Sequence, residues 1–351
     1  MTGVKYYQFM KKKFQNKILV LGGAGFIGSK FVDIAVSRNF KTTVVDCLTY
    51  ASDLKRIKHL TNDIKFFKIN INNRKKIIDF FSKHDFDYVI NFAAETHVDR
   101  SIDVSDIFVK TNINGTVNIL EGLRLKKKLK NYIHISTDEV FGSLGLNDPK
   151  FCEKNKYDPQ SPYSASKAAA DHLVLSWYNT YGTPVIITHC CNNYGPWQLI
   201  EKFIPLSISK ALTNQNIPIY GSGKNIREWI HVNDHCKALF EIMLNGKIGE
   251  RYLIGSEQEL CNIDLANIIC DYLDEIRPKK QSYKKLIKFV KDRPGHDFRY
   301  SIDSNKLKKL GWNNELNFNY GIKKTIDWYI KHEEWWKKKI KKGYNQRIGL
   351  G

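Results

Sequence analysis

The chain has 351 residues, 42% of them hydrophobic and 13% aromatic, so it can bury a sizeable core and does not have the composition of a disordered protein. Its formal charge of +20 comes from lysines scattered along the chain, without a helix-turn-helix, finger or aromatic-basic pattern, so no nucleic acid is expected as a partner. The seven cysteines include no C-x-x-C pair, so we expect no disulfide framework and no metal site. No apolar run approaches the length of about 20 residues that spans a bilayer, so we expect no membrane segment. Together these features predict a cytoplasmic protein.

The first predicted element is a strand that leads into a glycine-rich turn. Residues 1–16 carry no apolar signal segment, and we expect them to form a disordered leader. In the stretch KILVLGGAGFIGSKFVDIA, the strand Ile18 to Leu21 is followed by Gly22, Gly25 and Gly28 and then by a helical pattern. Glycines at this spacing let the backbone turn tightly and approach a pyrophosphate, which the helix N-terminus stabilises. The pattern predicts a dinucleotide-binding unit.

The second predicted strand ends in an acid. The stretch KTTVVD ends at Asp46, about 20 residues beyond the glycines, where a carboxylate can bind the ribose hydroxyls of adenosine. Because a carboxylate repels a 2′-phosphate, the sequence favours NAD over NADP. The alternative, that Asp46 only caps the next turn, stays open at this point.

A further strand is followed by a polar loop. The stretch DYVINFAAETHVDRSI predicts a strand from Tyr88 to Phe92 and a loop from Ala93 to Arg100, and the small Ala93 and Ala94 would let a cofactor lie against the strand end. Such strands alternate with helical stretches along the chain. This alternation predicts an α/β protein with a Rossmann-type doubly wound parallel sheet that binds ligands at the carboxyl ends of its strands.

The next strand end carries a hydroxyl and two acids. In HISTDEVFG, the residues Thr137, Asp138 and Glu139 follow an apolar run. Residues of these types often only form a turn, and the local pattern leaves that alternative open.

A helical stretch then places a phenol beside an ammonium. In SPYSASKAAADHLVLSWY, Tyr163 and Lys167 stand at i and i+4, on one helix face. The cation can stabilise phenolate and lower the tyrosine pKa, so that the tyrosine accepts a substrate proton. Taken alone, such a pair is more often a solvated surface pair.

Together the motifs resemble one family. The stretches GGAGFIGS, AAETHVDRSI, STDEVFG, YSASKAAADHLV, NNYGPWQLIEKFIPL, IPIYGSGKNIREWIHVNDH and DRPGHDFRY are similar to those of the nucleoside-diphosphate-glucose 4,6-dehydratases, the dTDP-glucose enzymes above all, in the extended short-chain dehydrogenase/reductase superfamily. The resemblance runs from about Lys17 to Trp336. Two alternatives are a nucleotide-sugar 4-epimerase on the same fold, against which the acid pair argues, and a non-catalytic basic Rossmann binding protein, against which the full catalytic set argues.

The resemblance implies a loss of water from nucleotide-linked glucose, with NAD returned unchanged, in rhamnose-type deoxysugar biosynthesis. It assigns to Tyr163 the removal of the O4 proton during C4 oxidation, with Thr137 and Lys167 holding the oxygen and the tyrosine. It makes Glu139 the base at C5 and Asp138 the acid for the departing C6 hydroxyl, before hydride returns to C6.

The resemblance also implies two sets of binding residues. The cofactor-binding set is Gly22, Gly25, Phe26, Ile27, Gly28, Asp46, Leu48, Thr49, Asn70, Ile71, Ala93, Ala94, Thr111, Tyr163, Lys167 and Asn193. The substrate-binding set is Thr96, Thr137, Asn192, Glu201, Lys202, Pro218, Ile219, Tyr220, Arg227, Asn262, Arg293 and His296. Three residues depart from the family pattern: Phe141 stands where a Tyr is common, Thr96 stands in place of a Ser, and Asn70 stands in place of an Asp. The Asp is expected to bind the adenine amino group, and the Asn carbonyl can still accept a hydrogen bond from it.

The expected domain organisation follows the change of sequence character near residue 190. We expect an NAD-binding Rossmann domain over residues 17–190, rejoined by about 229–255, a smaller α/β substrate-binding domain over 191–340, and a flexible tail over 341–351. Tryptophans and tyrosines near residues 328–336 are expected in core or dimer packing.

The last two expectations concern the oligomeric state and the nucleobase of the substrate. The family implies a homodimer formed by the helical patterns at Val104 to Leu125 and Ala165 to Tyr181. The sequence leaves open whether the substrate is dTDP-glucose or UDP-glucose, because the single methyl group that distinguishes the bases is worth only about 1–3 kcal/mol in a pocket.

Overall fold

The computed structural model describes residues 16–344, so most of the expected leader and residues 345–351 of the expected tail lie outside the described part. The strands in chain order are β1 (Lys17–Leu21), β2 (Lys41–Asp46), β3 (Ile64–Lys68), β4 (Tyr88–Asn91), β5 (Asn131–Thr137), β6 (Val185–Cys190), β7 (Asn192–Tyr194), β8 (Ile217–Tyr220), β9 (Ile226–His231), β10 (Arg251–Ile254), β11 (Glu259–Cys261) and β12 (Ile287–Val290).

Seven of these strands form one parallel sheet in the order β10-β6-β5-β4-β1-β2-β3. From β1 the chain moves to β2 and β3 on one side, and then to β4, β5 and β6 on the other. The strand order therefore reverses between β1 and β4, the place where open α/β sheets bind their ligands. The predicted doubly wound α/β fold is confirmed.

Apolar residues cover both faces of the central strand. Ile18 and Val20 pack in the core on one face, while Leu19 and Leu21 pack in the core on the other, and all four are fully buried. Because side chains alternate along a strand, only a continuous apolar run can fill two cores at once. This is the reason why the strand has no polar position between Ile18 and the glycine turn.

Most of the helices lie in the connections between strands, and the last three follow β12. They are Phe26–Ser37, Arg74–Lys83, Val98–Asp103, Asp106–Phe108, Gly115–Leu123, Pro162–Tyr181, Phe203–Leu212, Val232–Asn245, Asn262–Ile276, Asn305–Lys308, Phe318–Lys331 and Glu333–Ile340. A π-helical turn, Val109–Asn114, interrupts the helix expected over Val104 to Leu125. Within residues 16–344, none of the helices combines the length and the apolar character needed to cross a bilayer.

The helix Pro162–Tyr181 has strong local signals at both ends. Ser161 and Ser164 form a capping box at its start, Pro162 occupies the first turn, and Gly182 ends it with a φ of 67°. Proline suits a first turn, and glycine adopts the left-handed ending without strain. These signals fix where the helix begins, and so fix the position of Tyr163 near its N-terminus.

Two smaller sheets, β11-β9-β7 and β12-β8, surround a second core, whereas β10 returns to the large sheet beside β6. Trp335 and Trp336 are buried in this second core. The last helix also contacts the nucleotide side of the molecule, because the Trp335 indole donates to the Asp53 carboxylate at 2.8 Å and Lys339 lies 3.4 Å from the same group. The expected core role of the tail aromatics agrees with this arrangement.

Candidate active site

Two adjoining cavities, of about 250 and 340 Å³, open at the carboxyl ends of the large-sheet strands. Both are lined by Thr96, Glu139, Asn192, Glu201 and Lys202, so they form one continuous cleft. We call the cavity next to the glycine turn the first chamber and the other, next to the smaller sheets, the second chamber.

The glycine turn forms the floor of the first chamber. Gly22 has a φ of +75°, and a Cβ there would lie 2.6 Å from the Ala93 backbone nitrogen. A Cβ on Gly28 would lie 2.3 Å from the Gly22 carbonyl oxygen. The helix that starts at Phe26 has no side-chain cap, so its first N–H groups remain available to a ligand. These residues fit a bound dinucleotide, as the sequence predicts.

Asp46 is held at the end of β2 by three donors. Its carboxylate accepts from the Ala24 N–H at 3.0 Å, the Leu48 N–H at 2.7 Å and the Ser52 hydroxyl at 2.8 Å. The acid therefore organises the turn as well as presenting a negative charge near the glycines. Both proposed roles of this acid, turn stabilisation and ribose binding, are compatible with this position.

Asp46 and six other residues expected at the adenosine end lie outside the linings of both chambers. The six are Leu48, Thr49, Asn70, Ile71, Ala93 and Thr111. Asn70 is exposed, and its side-chain oxygen accepts from the Asn72 N–H at 2.8 Å, while Asn72 donates to the Thr111 hydroxyl at 3.2 Å. Ile71 is buried. Their contact with a cofactor stays a prediction.

The five residues expected to carry the chemistry all line the first chamber. Thr137, Asp138 and Glu139 leave the end of β5, and Tyr163 and Lys167 face them from the helix Pro162–Tyr181. The Lys167 ammonium donates to the Ile135 carbonyl at 2.7 Å, and the Thr137 hydroxyl donates to Asp138 Oδ1 at 3.3 Å. The phenol, hydroxyl, ammonium and two acids thus converge on one space.

The two acids differ in their surroundings. Burial, together with the charges of Glu139 and Glu228, holds the pKa of Asp138 well above its usual value. Burial also raises the pKa of Glu139, but Arg293, Arg227 and Lys202 oppose that rise. Asp138 Oδ2 is buried and has no hydrogen-bond partner among residues 16–344. The arrangement favours a protonated Asp138 beside a Glu139 that ionises more readily.

The tyrosine differs from the expectation of a lowered pKa. Burial and the charge of Glu139 raise the pKa of Tyr163 well above its usual value, and a hydrogen bond with Thr137 opposes them only in part. The sequence shows the ammonium one helical turn away, but it does not show how completely the phenol is desolvated. The expected lowering is therefore wrong for the protein described here.

Three cations line the second chamber or its border. The Lys202 ammonium donates to the Thr96 carbonyl at 2.8 Å, Arg227 lies 4.2 Å above the Tyr300 ring, and Arg293 pairs with Asp99 at 2.9 Å. Guanidinium groups suit bidentate contacts with phosphate oxygens. This chamber can hold a diphosphate.

Most of the remaining substrate-binding predictions also lie in the cleft. The lining includes Asn192, Glu201, Pro218, Tyr220, Asn262 and His296. Ile219 does not contribute its side chain, because it is fully buried in the second core. Since side chains alternate along β8, its neighbours Pro218 and Tyr220 face the chamber instead. Asn193 lines the first chamber, and its side-chain oxygen lies 2.8 Å from His235 Nδ1.

Several lining residues were not predicted. Arg56 lines the first chamber and donates to the carbonyl groups of Ala24, Ala51 and Trp197 at 2.9, 2.7 and 2.8 Å. Asp99 lines the second chamber, where Arg293 and Tyr220 both donate to it. Asp99 stands inside a recognised motif, which was the available signal, whereas nothing in the local pattern marks Arg56. Phe141 lines neither chamber and packs against Phe151 and Tyr157.

Comparisons with known proteins give a consistent result. The family model described as GDP-mannose 4,6 dehydratase matches residues 19–325. A probable dTDP-glucose 4,6-dehydratase of Sinorhizobium fredii is 48% identical over 346 residues, covering 95% of this chain and 99% of the relative.

Solved structures agree with the sequence comparison. A dTDP-glucose 4,6-dehydratase from Bacillus anthracis in complex with NAD is 39% identical, with a TM-score of 0.82 over 92% of this chain and 99% of that one. The Streptomyces venezuelae enzyme with NAD and TYD bound is 36% identical, with a TM-score of 0.85 and the same coverage.

Proposed function

The chain belongs to the dTDP-glucose 4,6-dehydratase family, and from this premise we propose that it converts dTDP-D-glucose into the 4-keto-6-deoxy-D-glucose nucleotide and water. The observation that carries the proposal is that the buried Asp138 and the half-buried Glu139 line the same chamber as Tyr163 and Lys167. A 4-epimerase needs hydride transfer at C4 only and has no use for two further acids. The acid pair therefore favours elimination of water.

The cofactor of the proposed reaction is NAD, which accepts a hydride and later returns it. The glycine turn, where added Cβ atoms would collide with backbone, and the uncapped helix at Phe26 would hold its pyrophosphate. Asp46, at the end of β2, would accept from the adenosine ribose hydroxyls and disfavour a 2′-phosphate.

The chain's own residues supply the proton transfers. Tyr163 removes the proton from the O4 hydroxyl of glucose, while the Thr137 hydroxyl and the Lys167 ammonium orient the reacting groups. Glu139 then removes the C5 proton, whose acidity the 4-keto group raises, and Asp138 protonates the departing C6 hydroxyl. The different surroundings of the two acids support one acting as base and the other as acid.

The second chamber is proposed as the site of the nucleoside diphosphate. Lys202, Arg227 and Arg293 would meet the two phosphates, and Asn262 and His296 would bind towards the nucleoside. On binding, Arg293 would exchange part of its contact with Asp99 for phosphate oxygens. The cofactor and the diphosphate would thus occupy adjoining ends of one cleft.

Conversion of substrate without added reductant is the direct test. Purified protein is incubated with dTDP-glucose, and mass spectrometry should detect a product lighter by one water. Formation of dTDP-galactose with no mass change would favour the epimerase, and tight binding with no conversion would favour the binding protein. The same assay with UDP-glucose measures the preference between thymine and uracil. Because one methyl group distinguishes these bases, the ratio of the two kcat/KM values is expected to lie within about 10 to 200.

A homodimer is the proposed assembly. Val104, Ile107, Val109 and Tyr181 are large apolar or aromatic side chains exposed by 54, 42, 47 and 49% on the two helical segments expected to pair. A second copy of the chain would cover them in a four-helix contact. Analytical ultracentrifugation should show a dimer, and Ile107→Asp should shift it to monomer; a monomeric parent protein would contradict the proposal.

The domain division at residue 190 and the cytoplasmic location also remain proposals. The location is supported by the seven cysteines, which all lie within residues 16–344 and are all free thiols there. The division is supported by the separate cores of the large sheet and the smaller sheets.

A further inference from the structure

We propose that Asp171 is a positioning residue for this reaction, whose carboxylate is the counter-charge that keeps the buried Lys167 protonated beneath Tyr163. Asp171 lies one turn beyond Lys167 on the helix Pro162–Tyr181 and lines neither chamber. It therefore acts through Lys167 and not by contact with a substrate. The kinetic part of the test rests on the proposed function.

The Asp171 carboxylate is fully buried and held by several donors. Its Oδ2 atom accepts from the Ser136 hydroxyl at 2.7 Å, the Tyr157 hydroxyl at 3.1 Å and His189 Nε2 at 3.0 Å. A buried carboxylate is stable only when hydrogen bonds or opposite charge compensate for lost water. The three donors all surround one oxygen atom, whereas the other, Oδ1, has no hydrogen-bond partner among residues 16–344.

His134 connects the carboxylate to the ammonium. Its Nε2 atom lies 3.4 Å from Asp171 Oδ1 and 3.5 Å from the Lys167 Nζ atom, while its Nδ1 atom lies 3.1 Å from the Tyr132 hydroxyl. Burial lowers the pKa of His134 to about 3, so the imidazole between the two charges is neutral. The excess charges at this place are therefore those of Lys167 and Asp171.

The other groups around Lys167 do not replace Asp171 as its partner. The titratable groups that face this region are Tyr132, His134, Asp138, Glu139, Tyr157, Tyr163, His189 and Cys190. Burial raises the pKa of Cys190 to about 12 and that of Asp138 well above its usual value, so both are protonated near neutral pH. The charge of Glu139 faces Arg293, Arg227 and Lys202 on the substrate side.

Asp171 behaves differently from the two acids in the cleft. Burial raises its pKa, but the hydrogen bond from His189 and the nearby Lys167 ammonium outweigh burial, so the pKa lies below its usual value. Burial in turn lowers the pKa of Lys167, and Asp171 is the first of the charges that oppose this lowering. Without Asp171 the buried ammonium would lose its proton at a lower pH.

The pH dependence of turnover tests this role. In Asp171→Asn, the basic limb of the kcat profile should move to lower pH by about one unit or more, while the acid limb moves less. Tyr157→Phe is the matched control, because it removes one hydrogen bond to the same carboxylate and retains the charge; its basic limb should not move. A fall in kcat at every pH with both limbs unchanged would mean that Asp171 is only structural, and would overturn the proposal.

A stability measurement covers the case in which Asp171→Asn does not fold alone. Thermal denaturation is compared for the parent, Asp171→Asn, Lys167→Met and the double variant, without substrate. If the two charges are partners, Asp171→Asn should lower Tm less in the Lys167→Met protein than in the parent, and the two losses should differ by about 2 °C or more. If Asp171→Asn alone does not fold, the double variant should still be recovered as folded protein. Equal losses in both proteins, or loss of both variants, would overturn the charge pairing. This measurement needs no turnover, so it is independent of whether the parent protein dehydrates dTDP-glucose.

Discussion

The glycine turn allows a quantitative test with Gly22→Ala. Two separate penalties follow from the geometry. The first is conformational: at a φ of +75°, a residue with a side chain lowers the free energy of unfolding by about 1–2 kcal/mol relative to glycine. In addition, the new Cβ would lie 2.6 Å from the Ala93 nitrogen, about 0.8 Å short of ordinary contact at 3.4 Å, and a backbone atom at a strand end cannot move aside freely. Overpacking of this kind costs about 1–3 kcal/mol more.

Gly182→Ala separates the two penalties. Gly182 has a φ of +67°, but a Cβ there meets no atom within 4 Å, so this variant incurs only the first penalty. We expect Gly22→Ala to weaken NAD binding about 10- to 100-fold, because the displaced turn no longer fits the pyrophosphate, while Gly182→Ala lowers Tm and leaves NAD affinity unchanged. Isothermal titration calorimetry on protein freed of bound nucleotide measures both affinities. Equal NAD affinity for Gly22→Ala and the parent would refute the argument that this close approach shapes the cofactor site.

Three further predictions concern the acids and the arginine of the first chamber. The double variant Asp138→Asn/Glu139→Gln should still form NADH with dTDP-glucose but release no dehydrated product, and retained dehydration would refute the roles assigned to the pair. Because the pKa of Asp138 is raised in the folded state, protonated Asp138 stabilises the fold at low pH, and this stabilisation is lost as the pH rises. The Tm of Asp138→Asn, measured relative to the parent, should therefore increase between about pH 4 and about pH 8. A Tm difference that stays constant with pH would contradict the raised pKa. Arg56→Lys cannot reach all three carbonyl groups that Arg56 bridges, so it should lose about 1–3 kcal/mol of unfolding free energy and bind NAD more weakly; unchanged Tm and affinity would show that the bridge is unimportant.

The strands and the chemistry could be predicted because their signals are local. The apolar run Ile18 to Leu21 followed by glycine predicts β1, which begins one residue earlier at Lys17. The acids at the end of β5 lie where parallel strands present ligand-binding residues, so sequence order alone assigns them to the cleft. The family motifs then add the helix that carries Tyr163.

Other features depend on contacts that no local pattern encodes. Asp99 and Arg293 form an ion pair across 194 residues of sequence, and the side chains that surround Asp171 come from two strands and a loop. The orientation of Ile219 depends on the register of a short strand between two cores, and the raised pKa of Tyr163 depends on burial by several elements at once. Each of these requires the assembled molecule.

The contact between Trp335 and Asp53 has a consequence for the order in which the protein can form. The two residues are 282 positions apart, and Asp53 belongs to the loop that follows the second strand of the nucleotide-binding sheet. A ribosome makes the sheet from its N-terminal side first, so during translation that loop exists for most of the chain's synthesis without the indole that will hold it. Its native hydrogen bonding is completed only after the last described helix emerges, which makes the mature loop one of the latest parts of the protein to be assembled.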